Sequence, residues 1–311
     1  MDLPKFRPPS IPFMGAADDA DISNADAVLF GAPHGTPYSG IDNRGHEDTA
    51  NALRRTFGNE GDWVDHWNFD FDATLLSDDS YSLVDLGDLE TEPQSGPDNR
   101  GKIEQATRAI LQSGAMPIML GGDDSVPIPF LAGFADAGPI TIIQVDAHID
   151  WRQERRGEPL GYSSTMRRAS EMPHVKDIIQ IGMRGYGSAR RQEVDFALDW
   201  GAKIIPAHQV HHHGVETALK HIKPGSRCVL TLDFDALDPS IMPAVMAPTP
   251  GGLTYLQILD LLAGILDTAD LIGVDMIEFV PERDPSGTAA ITAAGLVSNV
   301  VGLSAKKNAQ S

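Results

Sequence analysis

The chain has 311 residues, a formal charge of −20 at pH 7 and one cysteine. An acidic balance of that size argues against nucleic-acid or anionic-membrane partners, and the lone Cys228 leaves neither a disulfide framework nor a cysteine-rich zinc site to build. No apolar run reads as long enough to span a bilayer and residues 1–12 lack an apolar signal core, so the expectation is a soluble, cytoplasmic protein with no membrane contact.

Residues 1–25, rich in Pro, Asp and Ala, read as an N-terminal arm that could pack on a neighbouring subunit. Nothing resembling a linker divides the rest of the chain, and residues 26–305 read as a single domain. A first strand is expected over 25–31, then a loop punctuated by Pro33, Gly35, Pro37 and Gly40. The loop continues through Asn43-Arg44-Gly45-His46 to a helix over 49–56, with His34 and His46 as rim residues that hydrogen-bond within the loop. Residues 62–80 read as loop, 81–88 as a strand, and 102–113 as a helix with Ile103, Ala106 and Ile110 on one face. A third strand over 115–120 ends in Gly121-Gly122-Asp123-Asp124-Ser125, where the glycines permit a tight turn and close approach of the backbone.

Ile140-Thr141-Ile142-Ile143-Gln144-Val145 is too short for a typical helix and reads as one buried strand. Its end delivers Asp146-Ala147-His148-Ile149-Asp150, carboxylate, imidazole and carboxylate within five residues, which is a metal-ligand density. A polar loop over 152–161 leads to Tyr162-Ser163-Ser164; strands are expected over 177–183 and 202–206 around a helix over 191–200. His211-His212-His213 reads as solvated loop, because adjacent histidines cannot all face one metal from a regular element. Cys228-Val229-Leu230-Thr231-Leu232 is a second buried strand, running into Asp233-Phe234-Asp235-Ala236-Leu237-Asp238-Pro239. Alternation points Asp233 and Asp235 the same way, and anionic groups so crowded at strand ends repel strongly unless a cation sits among them.

A single aspartate such as Asp238 is accounted for as a cap or turn former. Two clusters, each emerging from an apolar strand, are not. An oxygen-rich set with one imidazole suits Mn, Mg or a similar hard divalent ion, with Ni, Co or Fe open where imidazole contributes. Pro243, Pro248 and Pro250 stiffen the loop beyond Asp235, Thr254 and Gln257 match a capping box for a helix to about residue 266, a last strand spans 270–276, and an apolar helix spans 289–301. Eight strand-like segments alternating with helices give an α/β fold, a parallel sheet covered on both faces, with ligands gathered at the carboxyl ends of its strands.

The three blocks, Gly121-Gly122-Asp123-Asp124-Ser125, Asp146-Ala147-His148-Ile149-Asp150 and Asp233-Phe234-Asp235-Ala236-Leu237-Asp238-Pro239, resemble in order and separation the signatures of the ureohydrolases, the arginase and agmatinase family. The resemblance implies a three-layer arginase-like fold and a homo-oligomer, trimer or hexamer. It implies two metal ions, usually Mn with Ni open, bridging a hydroxide that attacks the guanidinium carbon of a small cationic substrate and releases urea. Carried over residue by residue, Asp146 and Asp233 bridge the metals, Asp124 and Asp150 complete one shell, and His148 and Asp235 complete the other. Asp150 and Glu278 are catalytic, Glu278 as the carboxylate that faces the guanidinium, with Ser163 and Ser164 beside the substrate. Two departures stand out. Asp124 takes the place of a ligating histidine, and Ser163-Ser164 takes the place of a His-Gly pair thought to help move protons, which serine cannot do near neutral pH. Agmatine or a related guanidine is the implied substrate. The alternative is a catalytically impaired paralogue serving as partner subunit in a hetero-oligomer.

Overall fold

The computed structural model describes residues 2–18, 21–38, 41, 44–57, 63–76 and 81–310; the loop positions Gly40 and Asn43, with residues 62 and 77–80 of the long loop, lie outside them. The short apolar runs form β1 (Phe6–Arg7), β2 (Ala27–Gly31), β3 (Trp67–Asn68), β4 (Ala73–Thr74), β5 (Leu83–Leu89), β6 (Met116–Leu120), β7 (Ile140–Val145), β8 (Val175–Ile181), β9 (Lys203–Ile205), β10 (Arg227–Asp233) and β11 (Asp270–Ile277). Nine of these strands make one sheet in the order β1-β5-β2-β6-β11-β10-β7-β8-β9. The eight expected strands all run parallel, and β1 adds an antiparallel edge, Phe6 opposite Leu89. Part of the segment read as an arm is therefore seated on its own chain: the Phe6 ring meets Phe30 edge-on, and Phe13 and Met14 are buried.

The helices are α1 (Thr49–Phe57), α2 (Gly96–Ser113), α3 (Pro127–Ala132), α4 (Thr165–Ala169), α5 (Arg191–Trp200), α6 (Ala207–His213), α7 (Glu216–Leu219), α8 (Tyr255–Thr268) and α9 (Thr288–Gln310). Apolar side chains of α1 and α6 to α9 pack on one face of the sheet, those of α2 to α5 on the other, giving three layers. Helix α2 starts six residues before the expected Lys102, because Pro97 fits a first turn whose N–H would be unpaired anyway. The Thr254 hydroxyl accepts from the Gln257 amide at 3.2 Å while Gln257 accepts from Thr254, closing the capping box of α8. His211-His212-His213 departs from expectation: it is the exposed last turn of α6, not a loop, and His211 reaches the Gly252 carbonyl at 3.1 Å. By length and composition α9 could cross a membrane, but most of its apolar window is buried against the body of the protein.

One polar row crosses four adjacent strands on the face covered by α2 to α5: Gln180 beside Gln144, Gln144 beside Thr231, Thr231 beside Asp275. Asp275 is fully buried, accepts from the Thr231 hydroxyl at 2.7 Å, and has no partner for its Oδ2. Burial pushes this carboxyl up to about 8, the Thr231 hydrogen bond opposing. A folded pKa above the unfolded one contributes stability that is complete below about pH 4 and is lost as pH rises through about 8. Asp275→Asn, which has no proton to lose, should therefore gain on the parent by up to about 1.4 kcal/mol per pH unit between pH 5 and 7.5. Urea denaturation at several pH values checks this, and parallel stability curves for the two proteins would refute it.

Candidate metal centre

The ends of β6, β11, β10 and β7, four neighbours at the middle of the sheet, open into one cavity of about 300 Å³. Strand β7 stops at Val145, so Asp146, His148 and Asp150 leave from its end, while β10 ends at Asp233 and a single 3₁₀ turn, residues 234–236, carries Asp235 back over the same opening. Asp146, His148 and Asp235 offer ligand atoms within 4.8 Å of one another, and so do Asp124, Asp146 and Asp233. Asp146 belongs to both groups. Gly121 and Gly122 aim Asp123 and Asp124: Gly122 sits at φ +83°, and a Cβ there would come within 3 Å of Val126 and of the carbonyls of His34 and Ala32.

The electrostatics of the cluster are those of a cation site. Burial, then Asp150 and Asp146, push the Asp124 carboxyl well above the usual range, and burial, then Asp235 and Asp146, do the same to Asp233. Asp146 is likewise raised by burial, then by Asp150 and Asp235. Burial opposes charge on the His148 ring, but hydrogen bonds and charge from Asp146 and Asp235 outweigh it and carry the imidazole to about 12. His148 Nδ1, 3.0 Å from Asp235 Oδ2, is the atom at which a cation would take the place of that proton. Asp124 Oδ2 is buried without any hydrogen-bond partner. Such an orphaned carboxylate oxygen is costly unless something cationic takes it up, and a donor set of carboxylates with one imidazole fits hard divalent ions.

All the expected ligands, Asp124, Asp146, His148, Asp150, Asp233 and Asp235, line this cavity with Glu278 and Ser163. Ser164 does not: it is fully buried and its hydroxyl is unpartnered. Of the two rim histidines, His34 is buried away from the cavity and meets Asn99 at 3.1 Å, with burial and Arg100 lowering its pKa to about 4. His46 lies in the wall, its Nε2 3.1 Å from Glu278 Oε2. Glu278 Oε1 accepts from the Asp124 amide at 2.9 Å. Asp150 and Glu278 are two of the few non-glycine residues at positive φ, 51° and 70°, a conformation that persists where surrounding structure over-determines it.

Some positioning groups were not visible in the sequence. Gln144 lies inside an apolar strand, yet its Nε2 donates to Asp146 Oδ2 at 2.7 Å and to Asp150 Oδ2 at 2.8 Å. Its own carbonyl accepts from Gln180, which accepts in turn from the Trp151 indole at 2.8 Å. Arg184 donates to the carbonyls of Asp235, Ala236, Leu237 and Thr249, tying down the turn that carries Asp235. Groups that orient metal ligands typically govern affinity by about 10–100-fold. Gln144→Leu should therefore weaken Mn binding by about that factor, read by competition with a chelating dye, and parental affinity would show that Gln144 only fills space.

Comparison with known proteins gives one answer at two levels. A profile of the arginase family matches residues 25–302. The chain is 35% identical over 213 residues to the N(1)-aminopropylagmatine ureohydrolase of Thermus thermophilus, covering 65% of this chain and 70% of that one. It is 29% identical over 225 residues to the guanidinobutyrase of Pseudomonas aeruginosa, covering 70% of each. In fold it is similar to proclavaminate amidino hydrolase from Streptomyces clavuligerus, with TM-score 0.82, 24% identity, and coverage of 96% of this chain and 97% of that one. Agmatine ureohydrolase of Thermoplasma volcanium aligns with TM-score 0.78, 24% identity and 94% of each chain.

Proposed function

Because the chain belongs to the arginase family, we propose that it hydrolyses a guanidino compound to urea and an amine, with two divalent ions, Mn first and Ni second, as cofactors. The observation that carries this reading is the convergence of six candidate ligands and Glu278 on one cavity at the carboxyl ends of four adjacent strands. A chain freed from catalysis and kept as a partner subunit would have no need of that convergence. Asp146 and Asp233 would be shared between the ions, with Asp124 and Asp150 on one and His148 and Asp235 on the other. When bound, the ions supply Lewis acidity and lower the pKa of water.

The protein's own groups do the rest. Glu278 receives the guanidinium by charge-assisted hydrogen bonds, and its place is fixed by the Asp124 amide and His46. Water adds to the guanidinium carbon, the bond to the substituted nitrogen breaks, and that nitrogen leaves as an amine carrying the proton. Asp150, oriented by Gln144, takes up the proton as water adds. Ser163, on the wall, can donate a hydrogen bond but cannot exchange protons near neutral pH. A homo-oligomer is part of the same reading, and the exposed Trp67 and Phe69 on the β3–β4 hairpin, with Trp63 just before it, are suited to a subunit contact.

The test is urea release by the purified chain loaded separately with Mn and with Ni, against agmatine, guanidinobutyrate, arginine, guanidine and biguanides, with metal counted on the same samples. Turnover with about two metals per chain supports the proposal. Two metals bound and no urea from any guanidine would overturn it.

A further inference from the structure

Two arginines line the same cavity as the carboxylates. Arg152 and Arg155, from the loop after Asp150, line it together with Tyr162, Met246 and Ala247, opposite in sign to the carboxylates. Among the described residues neither guanidinium lies within ion-pair distance of a carboxylate. Arg152 is held through Nη2 by the carbonyls of Gly187 at 2.7 Å and Ser188 at 3.4 Å, and its buried Nε has no partner. Arg155 rests over the Tyr162 ring, 4.8 Å from its centroid, and Tyr162 packs edge-on against Tyr38. Both arginines are therefore presented by fixed contacts that leave guanidinium donors unspent. An arginine in a binding cavity with unused donors is suited to a carboxylate, whose two oxygens match the fork of N–H groups.

This inference rests on the hydrolase reading and concerns the far end of the substrate. With the guanidinium at Glu278, the rest of the substrate would run along the cavity wall, which Met246 and Ala247 also line. The geometry points to a guanidino acid, a substrate whose tail ends in a carboxylate received by Arg152 and Arg155. A tail ending in an ammonium, as in agmatine, brings a like charge to two arginines that have no ion-pair partner among the described residues. Positive charge in the cavity wall thus selects against the diamine-derived substrates and for the anionic ones, while the overall acidity of the chain acts only at longer range.

Three guanidines that share a guanidinium and differ in the charge of a short tail separate the possibilities: 4-guanidinobutyrate, n-butylguanidine and agmatine, measured with the Mn-loaded chain. The expected order of kcat/KM is guanidinobutyrate above butylguanidine above agmatine, with at least about tenfold between the ends. In Arg155→Gln the preference for guanidinobutyrate over butylguanidine should fall at least about tenfold, and Arg155→Glu should reverse the order of guanidinobutyrate and agmatine. Agmatine equal to or better than guanidinobutyrate would overturn the inference, as would a variant that slows all three compounds alike. Dissociation constants from calorimetry give the same order independently of turnover. Tail preference without urea would leave the inference standing and sink the hydrolase reading; urea without tail preference would do the reverse.

Discussion

Asp233→Asn should lose more than about 10³-fold in urea release and retain at most one tightly bound metal, while its metal-free form melts a few degrees above the parent. The two effects share one cause. Asp233 is buried with Asp146, Asp235 and Asp124 around it, and burial followed by those charges drives its carboxyl well above the usual range. Without cations this is stored repulsion, since burying a charge near like charges costs far more than any hydrogen bond returns. Asparagine keeps the carbonyl oxygen that accepts from the Asp235 amide at 2.7 Å, so the turn survives while one buried charge goes. With cations the balance would reverse, because on the proposed assignment a carboxylate shared by both ions is removed. Elemental analysis and calorimetry in chelator check the pair of outcomes. Unchanged metal content, or a metal-free form that melts lower than the parent, would remove Asp233 from the proposed site.

The clustering of these carboxylates was legible in the sequence and its surroundings were not, and the difference lies in the range of the interactions involved. Asp146, His148 and Asp150 come directly after an apolar run too short for a typical helix, and the 2-residue period of an extended chain puts Asp233 and Asp235 on one side. Convergence of the two blocks needed only the general rule that parallel sheets collect ligands at their carboxyl ends. Gln144 shows the limit. Within Ile140–Val145 it reads as a polar interruption of a core strand, and its function exists only through the register that sets it beside Gln180 and beneath Asp146 and Asp150. Arg152 and Arg155 sit in a loop whose polar composition implies solvent, and Gly187 with Ser188, 35 residues on, holds Arg152 in the cavity wall instead.

Two elements escape a sequence reading for similar reasons. Two residues, Phe6 and Arg7, are too few to carry any period, so β1 becomes a strand only because β5 offers it an edge. The histidine triplet invites judgement by what its imidazoles could ligate together, whereas its backbone simply continues the turn that Ala207 and Val210 anchor in the core.

Glu278→Gln should lower kcat/KM for guanidines by about 10²–10³-fold while leaving two metals bound, which separates a substrate-facing carboxylate from a ligand. Removing one charge from a buried, hydrogen-bonded ion pair costs about 2–5 kcal/mol, and each 1.4 kcal/mol is about tenfold in rate. The backbone argues that the side chain is held for this purpose. Its amide donates to the Gly122 carbonyl at 3.0 Å, and φ of 70° turns the chain sharply as it leaves β11. That conformation is costly for a β-carbon-bearing residue, and nothing in the packing of Phe279 beyond it requires a carboxylate. Glutamine retains an acceptor for the Asp124 amide, so the glycine-rich turn and Asp124 should stay in place. The amide nitrogen, however, presents N–H groups where a guanidinium also presents N–H groups, converting attraction into a clash of donors. Metal counting and kinetics on one preparation decide the matter: loss of metal would make Glu278 part of the metal shell, and a fall of less than about fivefold in kcat/KM would place the guanidinium elsewhere in the cavity.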